Sequence, residues 1–299
     1  MRLDPTSLNL FLSVIEEGTI AAAAEREHIA AAAVSKRLSE IESILGTKLL
    51  TRTNRGVEPT SAGIALSALA RRVLHELDDI AVQMREYATG IRGQVRIFAN
   101  ISAITQFLPR EIRAFLADYP HVKVHLEEKI STVITKAVEE NSADIGIFTE
   151  EPNGRKLELF PYHRDRLAII TPRNHLLASC NALTFEETLD FDYVGLHSGS
   201  AINRLLLKKA TELNRNIKLR IQVTSYDALC LMVDSGLGIA LLPEAVAQQY
   251  ARILSICTVP LVEPWAERKI TICVRSFEAL PVAAQLLVGH LRAQEGKPA

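Results

Sequence analysis

Between Gly18 and Gly46 the chain reads as two helices joined by a turn too short to let them do anything but cross. Thr19 can cap a short Ala-rich helix over residues 20–27, and His28-Ile29 supply a brief turn. Ala31 to about Leu45 then forms a second helix, stopped by Gly46. Leu38, Ile41 and Leu45 give it an apolar stripe, with Lys36, Arg37, Glu40 and Glu42 elsewhere on its surface. This pattern is a helix-turn-helix. Another helix precedes it, because Leu8, Phe11, Leu12, Val14 and Ile15 recur at helical spacing after Ser7, a suitable N-cap. Residues 49–58, LLTRTNRGVE, predict a small hairpin whose turn is Asn54 to Gly56, with Arg52 and Arg55 at or near its tip.

From Thr60 a long helix runs to about Ala88. Leu66, Leu69, Val73, Leu77, Ile80, Met84 and Tyr87 follow one another at steps of three or four, a heptad-like seam. Such a seam needs a cover, supplied either by a second copy of the helix or by the chain's own core. The composition changes at Thr89-Gly90-Ile91-Arg92-Gly93, which reads as a hinge.

Beyond the hinge strands alternate with helices. Strands are expected at Gln94–Ala99, Val122–Glu127, Asp144–Phe148, Leu167–Thr171, Tyr193–Leu196, Leu219–Val223, Ile239–Leu242 and Ile270–Val274. Helices are expected at Gln106–Asp118, Val133–Asn141, near Phe185–Leu189, and at Ala201–Leu213, Tyr226–Asp234 and Pro281–Arg292. A βαβαβ order implies parallel strands with right-handed crossovers. Two such units predict two lobes with a cleft between them. The expected division is residues 1–59, a linker helix over 60–89, and a domain over 90–299. Its first lobe covers about 93–161 and 268–293, its second about 162–267.

Length agrees, since 299 residues suit about two domains at roughly 100–200 residues each. Apolar residues at 48% and charged residues at 23% exclude a disordered chain, a fibrous repeat and a disulfide scaffold. Lys and Arg total 34 against 35 Asp and Glu, so the chain is not basic throughout. Residues 28–57 nevertheless carry a formal +3, while the first ninety residues sum to −2. Positive charge is therefore concentrated on the helix-turn-helix and hairpin. The four cysteines, at 180, 230, 257 and 273, form no CxxC pair and fall in apolar runs, as reduced buried thiols do. The N-terminus lacks a signal-type apolar region and no run of 18 apolar residues occurs, so a cytoplasmic chain with no membrane span is expected.

At this point the residues carry a resemblance. The Phe11 helix, Glu17-Gly18-Thr19, Ala23-Ala24-Glu25, Val34-Ser35-Lys36-Arg37-Leu38, Ile41-Glu42, Leu45-Gly46, Leu49-Leu50-Thr51-Arg52 and Thr60-Ser61-Ala62-Gly63 resemble the N-terminal domain of LysR-type transcriptional regulators. Leu108-Pro109, Tyr119-Pro120, Asp144-Ile145-Gly146 and Ser235 to Pro243 are similar to landmarks of that family's effector domain. The resemblance implies an α/β fold: an N-terminal winged helix-turn-helix with a long linker helix, then a two-lobed periplasmic-binding-protein-like effector domain. It implies binding of promoter or operator double-stranded DNA, a small-molecule effector, a homodimer or homotetramer, and RNA polymerase as a further partner. One departure is visible. Where the family usually has Ser-Gln-Pro at the start of the recognition helix, this chain has Ala30-Ala31-Ala32. Alanine can touch a thymine methyl but cannot bond bidentately to adenine.

The chemistry of the residues fits that implication. Ala31, Ala32, Ser35, Lys36 and Arg37 can meet phosphates and base edges in a major groove, and Arg52 and Arg55 can meet phosphate or the minor groove. The seam residues Leu66, Leu69, Val73, Leu77, Ile80 and Met84 are the dimerisation candidates. For the effector, ligands of open α/β sheets bind beyond the carboxyl ends of strands, where helix N-termini favour anions. Four such loops are rich in hydroxyls: Asn100 and Ser102; Ser131 and Thr132; His197, Ser198 and Ser200; Ser225 and Tyr226. Phe148 follows a further strand. By the family pattern Ser102 and Ser131 match effector-touching positions. No Arg or Lys is expected in these loops, which favours a small carboxylate or other monoanion, or a polar neutral molecule, over a dianion.

Each hydroxyl could instead be a plain helix cap, and only convergence on one cleft would make a site. Two other functions share part of this pattern. A binding protein without regulatory role would share the two lobes but not the helix-turn-helix. A hydrolase or transferase lacks its constellation: Ser198 stands three residues beyond Gly195, not two, and the eight His show no metal spacing. Asp165 and Asp227 have no evident partner base. No catalytic residue, metal or cofactor is expected.

Overall fold

The helix-turn-helix is held by the residues that punctuate it. The computed structural model describes residues 3–53, 56–89, 93–149 and 157–294. Helix α1 spans Pro5–Glu17, α2 Ile20–Arg26 and α3 Ala31–Leu45. Gly18 and Gly46 close α1 and α3 in the left-handed conformation that glycine adopts without strain. The Thr19 hydroxyl accepts from the Ala22 amide at 3.1 Å and so starts α2. Phe11 and Val14 of α1, Ala23 of α2, and Val34, Leu38 and Ile41 of α3 form the buried core with Leu49. The small Ala23 and Ala24 let α2 lie close to its neighbours.

Strands β1, Leu50–Thr53, and β2, Gly56–Pro59, pair antiparallel as a wing. The Val57 amide donates to the Gly18 carbonyl at 2.8 Å. A Cβ at Gly56 would lie 2.2 Å from that same oxygen, so only glycine lets the wing dock here.

Helix α4, Ser61–Thr89, begins at Thr60, whose hydroxyl accepts from the Gly63 amide at 3.0 Å. Its apolar residues separate into two rows. Ala62, Leu66, Ala70 and Leu74 pack on the domain's own core. Leu69, Val73, Leu77 and Ile80 point outward and are 53%, 47%, 42% and 56% exposed. Leu66 therefore faces away from the rest of the expected seam. The Met84 and Tyr87 side chains lie outside the described residues.

Apart from the segment Glu139–Ser142, the chain divides near residue 90 into two compact units. The second contains β3 Gly93–Ala99, α5 Ile101–Gln106, α6 Leu108–Asp118, β4 Val122–Glu128, α7 Ser131–Glu139, β5 Ile145–Phe148 and β6 Glu158–Pro172. It continues with α8 Phe185–Thr188, β7 Asp192–Leu196, α9 Ala201–Glu212, β8 Lys218–Val223 and α10 Tyr226–Asp234. It ends with β9 Ala240–Pro243, α11 Glu244–Tyr250, β10 Ile256–Pro260, β11 Glu267–Val274 and α12 Val282–Arg292. One sheet runs β10-β6-β11-β5-β3-β4, with β9 also on β6, and β7 pairs β8 separately.

The strands of the βαβαβ segment are parallel, as its order implies, but the sheet as a whole is mixed. β4, β3 and β5 are parallel, but β11 runs antiparallel to both β5 and β6. The reason is the length of β6. Its first part pairs with β11, and its last residues, Leu167–Pro172, pair with β9 and β10. Separate cores result. Val95, Ile97, Phe115, Ile145, Ile272 and Leu287 lie in one, and Ile169, Val194, Leu229, Leu241 and Val246 lie in another.

Candidate functional site

On α3 the inward residues Val34, Leu38 and Ile41 leave Ala31, Ala32 and Lys36 exposed and Ser35 half-buried. Lys36 joins no hydrogen bond or ion pair among the described residues. Ala30 stands at the N-cap and offers no side-chain cap, so the first amides of α3 keep their positive end open. Arg37 is otherwise engaged. Its Nη1 donates to Ser7 Oγ at 3.0 Å and lies 3.5 Å from Asp4 Oδ1. Asp4 caps α1, and hydrogen bonds from Ser7 hold its carboxyl below the usual range. Arg37 thus fastens α3 to the start of α1. Glu42, read from sequence as a surface charge, accepts from the Leu49 amide at 2.9 Å and from Lys48 Nζ at 2.6 Å, anchoring the base of the wing. The Arg52 side chain and Arg55 lie outside the described residues.

In the second unit, the ends of β3, β4 and β7 meet at one cleft, open to solvent. Of the residues proposed from sequence for the effector, Asn100, Ser102, Ser131, His197 and Ser200 line it. Glu128, Lys129, Ile130, Gly199, Ala201, Ile202 and Thr224 join them. Ser131, at the first position of α7, is only 4% exposed, and its hydroxyl has no partner. Ser200 is the N-cap of α9, but its side chain makes no cap bond. Asn100 is a true cap: its Oδ1 accepts from the Ala103 amide at 3.0 Å. Burial raises the Glu128 carboxyl above its ordinary range, against an opposing pull from His197.

Behind the cleft wall lies a buried polar network. Arg268 on β11 stands opposite Asp165 on β6. Its Nε donates to Asp165 Oδ1 at 2.8 Å, and its Nη2 donates to Asp165 Oδ2 and, at 3.1 Å, to Ser102 Oγ. Gln106 Nε2 donates to Asp165 Oδ2 at 2.9 Å, and Ser102 Oγ shares a hydrogen bond with the Tyr226 hydroxyl at 3.0 Å. Burial pushes the Tyr226 phenol up to about 12. Ser102 therefore reaches the cleft with its hydroxyl already engaged on both sides.

Other expected cleft residues lie elsewhere. Phe148 is 1% exposed in a core with Ile134 and Val138. Thr132 and Ser198 are exposed and do not line the cleft. Ser225 caps α10, accepting from the Ala228 amide at 3.4 Å, and Tyr226 sits behind Ser102. The expectation that no Lys or Arg enters these loops is corrected by Lys129, which directly follows β4. Extending the strand-end rule to the last residue of each strand would have found Glu128 and Lys129. No local signal marks Arg268 as the partner of Asp165.

Comparison with known proteins agrees with this architecture. Residues 88–296 match the LysR substrate binding domain, and residues 5–64 match the bacterial regulatory helix-turn-helix protein, lysR family. The uncharacterized HTH-type transcriptional regulator YbhD of Escherichia coli (strain K12) is 29% identical over 290 residues, covering 95% of this chain and 90% of the relative. The HTH-type transcriptional regulator ClcR of Pseudomonas putida is 28% identical over 245 residues, covering 80% and 82%. Among solved structures the fold is similar to CbnR, a LysR family transcriptional regulator, with a TM-score of 0.73 at 21% identity over 97% of this chain and 99% of that one. Full-length CbnR in complex with its target DNA gives the same values. With a matched substrate-binding domain spanning most of its length and a matched helix-turn-helix before it, the chain belongs to the LysR family of DNA-binding transcriptional regulators.

Proposed function

We propose that this regulator binds operator DNA through the outer face of α3 and the wing, as a dimer joined along α4, and that a small effector in the Ser131–Ser200 cleft modulates its hold. The domain division near residues 59 and 89 follows from the same reading, as do a non-enzymatic role, a cytoplasmic location and assembly into tetramers. The observation that carries it is the outer face of α3. Ala31, Ala32 and Lys36 are unpaired and exposed beside an uncapped helix start, in a domain whose other basic residues near it, Arg37 and Lys48, are held by acids. Such a face suits a phosphate at the helix end and base edges along the first turns.

Gel-shift titration of the full chain against sheared genomic DNA tests this. Lys36→Ala is expected to weaken binding and to lower the slope of log affinity on log salt by about one. Binding and slope equal to wild type would remove Lys36 from the interface. A second variant separates fold from contact. Ala30→Ser and Ala30→Asp each supply the missing cap and are expected to stabilise the N-terminal domain by about 1 kcal/mol. Ala30→Asp alone should lose DNA affinity, because its carboxylate takes the place of a phosphate. Equal DNA affinity for both variants would put the phosphate elsewhere.

A further inference from the structure

The effector cleft is lined by unpaired groups of two opposite kinds. Hydrogen-bond donors come from Ser131, whose hydroxyl is buried without a partner, and from Ser200. The nine-residue α7 and twelve-residue α9 add first-turn amides that no helix bond can use. Together these fit a carboxylate, and the positive ends of both helices favour its charge.

Glu128 is of the other kind. Its exposed side chain lines the cleft and joins no hydrogen bond or ion pair among the described residues, with His197 of the same lining favouring its charged form. Lys129 is the only Lys or Arg lining the cleft among the described residues, and it is occupied: its Nζ lies 2.8 Å from Glu127 Oε2 and 5.6 Å from the Phe98 ring centroid. A ligand that seats only a carboxylate would bring a like charge beside Glu128 and give it no donor. A dianion would add direct repulsion. A simple amine would leave the Ser131 hydroxyl as unpaired as before.

Resting on the reading of this cleft as the effector site, we propose that its ligand is a small zwitterion, an ammonium and a carboxylate on one short carbon frame. The carboxylate is held by Ser131, Ser200 and the starts of α7 and α9, and the ammonium by Glu128.

The test is a thermal-shift screen of the full chain with the common amino acids, each accompanied by its des-amino acid and its amine, followed by calorimetry on every hit. Ligand that binds only the folded state raises the melting temperature. At least one amino acid is expected to do so, with neither analogue reproducing it. Glu128→Gln is expected to weaken that amino acid by about tenfold or more, the loss of one hydrogen bond between charged groups. An unchanged melting temperature of ligand-free Glu128→Gln establishes that the variant is folded. No stabilisation by any amino acid overturns the proposal. So does a des-amino acid that binds as tightly as its parent and is indifferent to Glu128→Gln. In that case weakening by Ser131→Ala keeps the effector in this cleft, whereas binding indifferent to both variants overturns the site itself.

Discussion

Removal of the Asp165 carboxylate, as Asp165→Ala, is expected to destabilise the C-terminal unit by about 3–5 kcal/mol, the cost of leaving a buried charge unpaired. Arg268 is 7% exposed and Asp165 9%, so neither can turn to water. Asp165 accepts from Arg268 through both oxygens and from Gln106, and Arg268 reaches on to Ser102. One deletion therefore strands the charge of a guanidinium and takes one of its two acceptors from the Gln106 amide. Against a typical total stability of about 5–15 kcal/mol, that loss is large. Replacing both partners by apolar residues, as Asp165→Leu with Arg268→Met, should recover most of it, since no charge is then stranded. The single tryptophan makes the measurement selective. Trp265 lies in this unit, packed edge-on to Phe185 at 5.3 Å between ring centroids, so its fluorescence during urea unfolding reports this unit. An Asp165→Ala midpoint equal to wild type would show that the pair contributes nothing net.

Leu77→Asp is expected to turn the dimer into monomers and to cost about 10²–10⁴ in operator affinity, the range lost when two linked binding events become independent. Leu69, Val73, Leu77 and Ile80 form one outward row in which every member is more than 40% exposed, although all are apolar. A second helix laid along that row would remove it from water, and a carboxylate in its middle would have to be buried as well. Leu66→Ala provides the contrast. Leu66 packs inward with the domain core, so its truncation should lower the stability of the N-terminal domain and leave the assembly intact. Sedimentation separates the two. A dimeric Leu77→Asp would place the subunit interface elsewhere.

Much of the fold could be read locally because its boundaries are local. Gly18 and Gly46 sit where the backbone turns left-handed, and Thr19 and Thr60 cap the helices that follow them. The first half of β6 carries no local signal, for the opposite reason. Arg164-Asp165-Arg166 is a run of charges with no partner nearby in sequence, yet Arg164 pairs with Glu267 at 2.9 Å, Asp165 with Arg268, and Arg166 donates to the Leu261 carbonyl at 2.6 Å. Those partners lie about a hundred residues on, where no local pattern reaches. The same limit split the site. Hydroxyls after strands mark Ser102, Ser131 and Ser225 alike, but only packing decides which are engaged. Ser102 is held by Arg268 and Tyr226, Ser225 caps α10, and Ser131 alone of the three is buried and unpaired. Phe148 ends β5, where the strand-end rule points to the cleft, but its ring packs in the core beside Ile134 and Val138.

Sequencing of genomic fragments retained by the full chain decides whether α3 and the α4 dimer work together as an operator reader. The expected result is a small set of fragments sharing a two-fold related pair of half-sites, centred one helical turn or a multiple of it apart, about 34–36 Å per turn. Leu77→Asp should lose those fragments and Lys36→Ala should retain them weakly. Fragments with no shared motif, or a single unpaired half-site bound equally well by wild type and Leu77→Asp, would contradict the account.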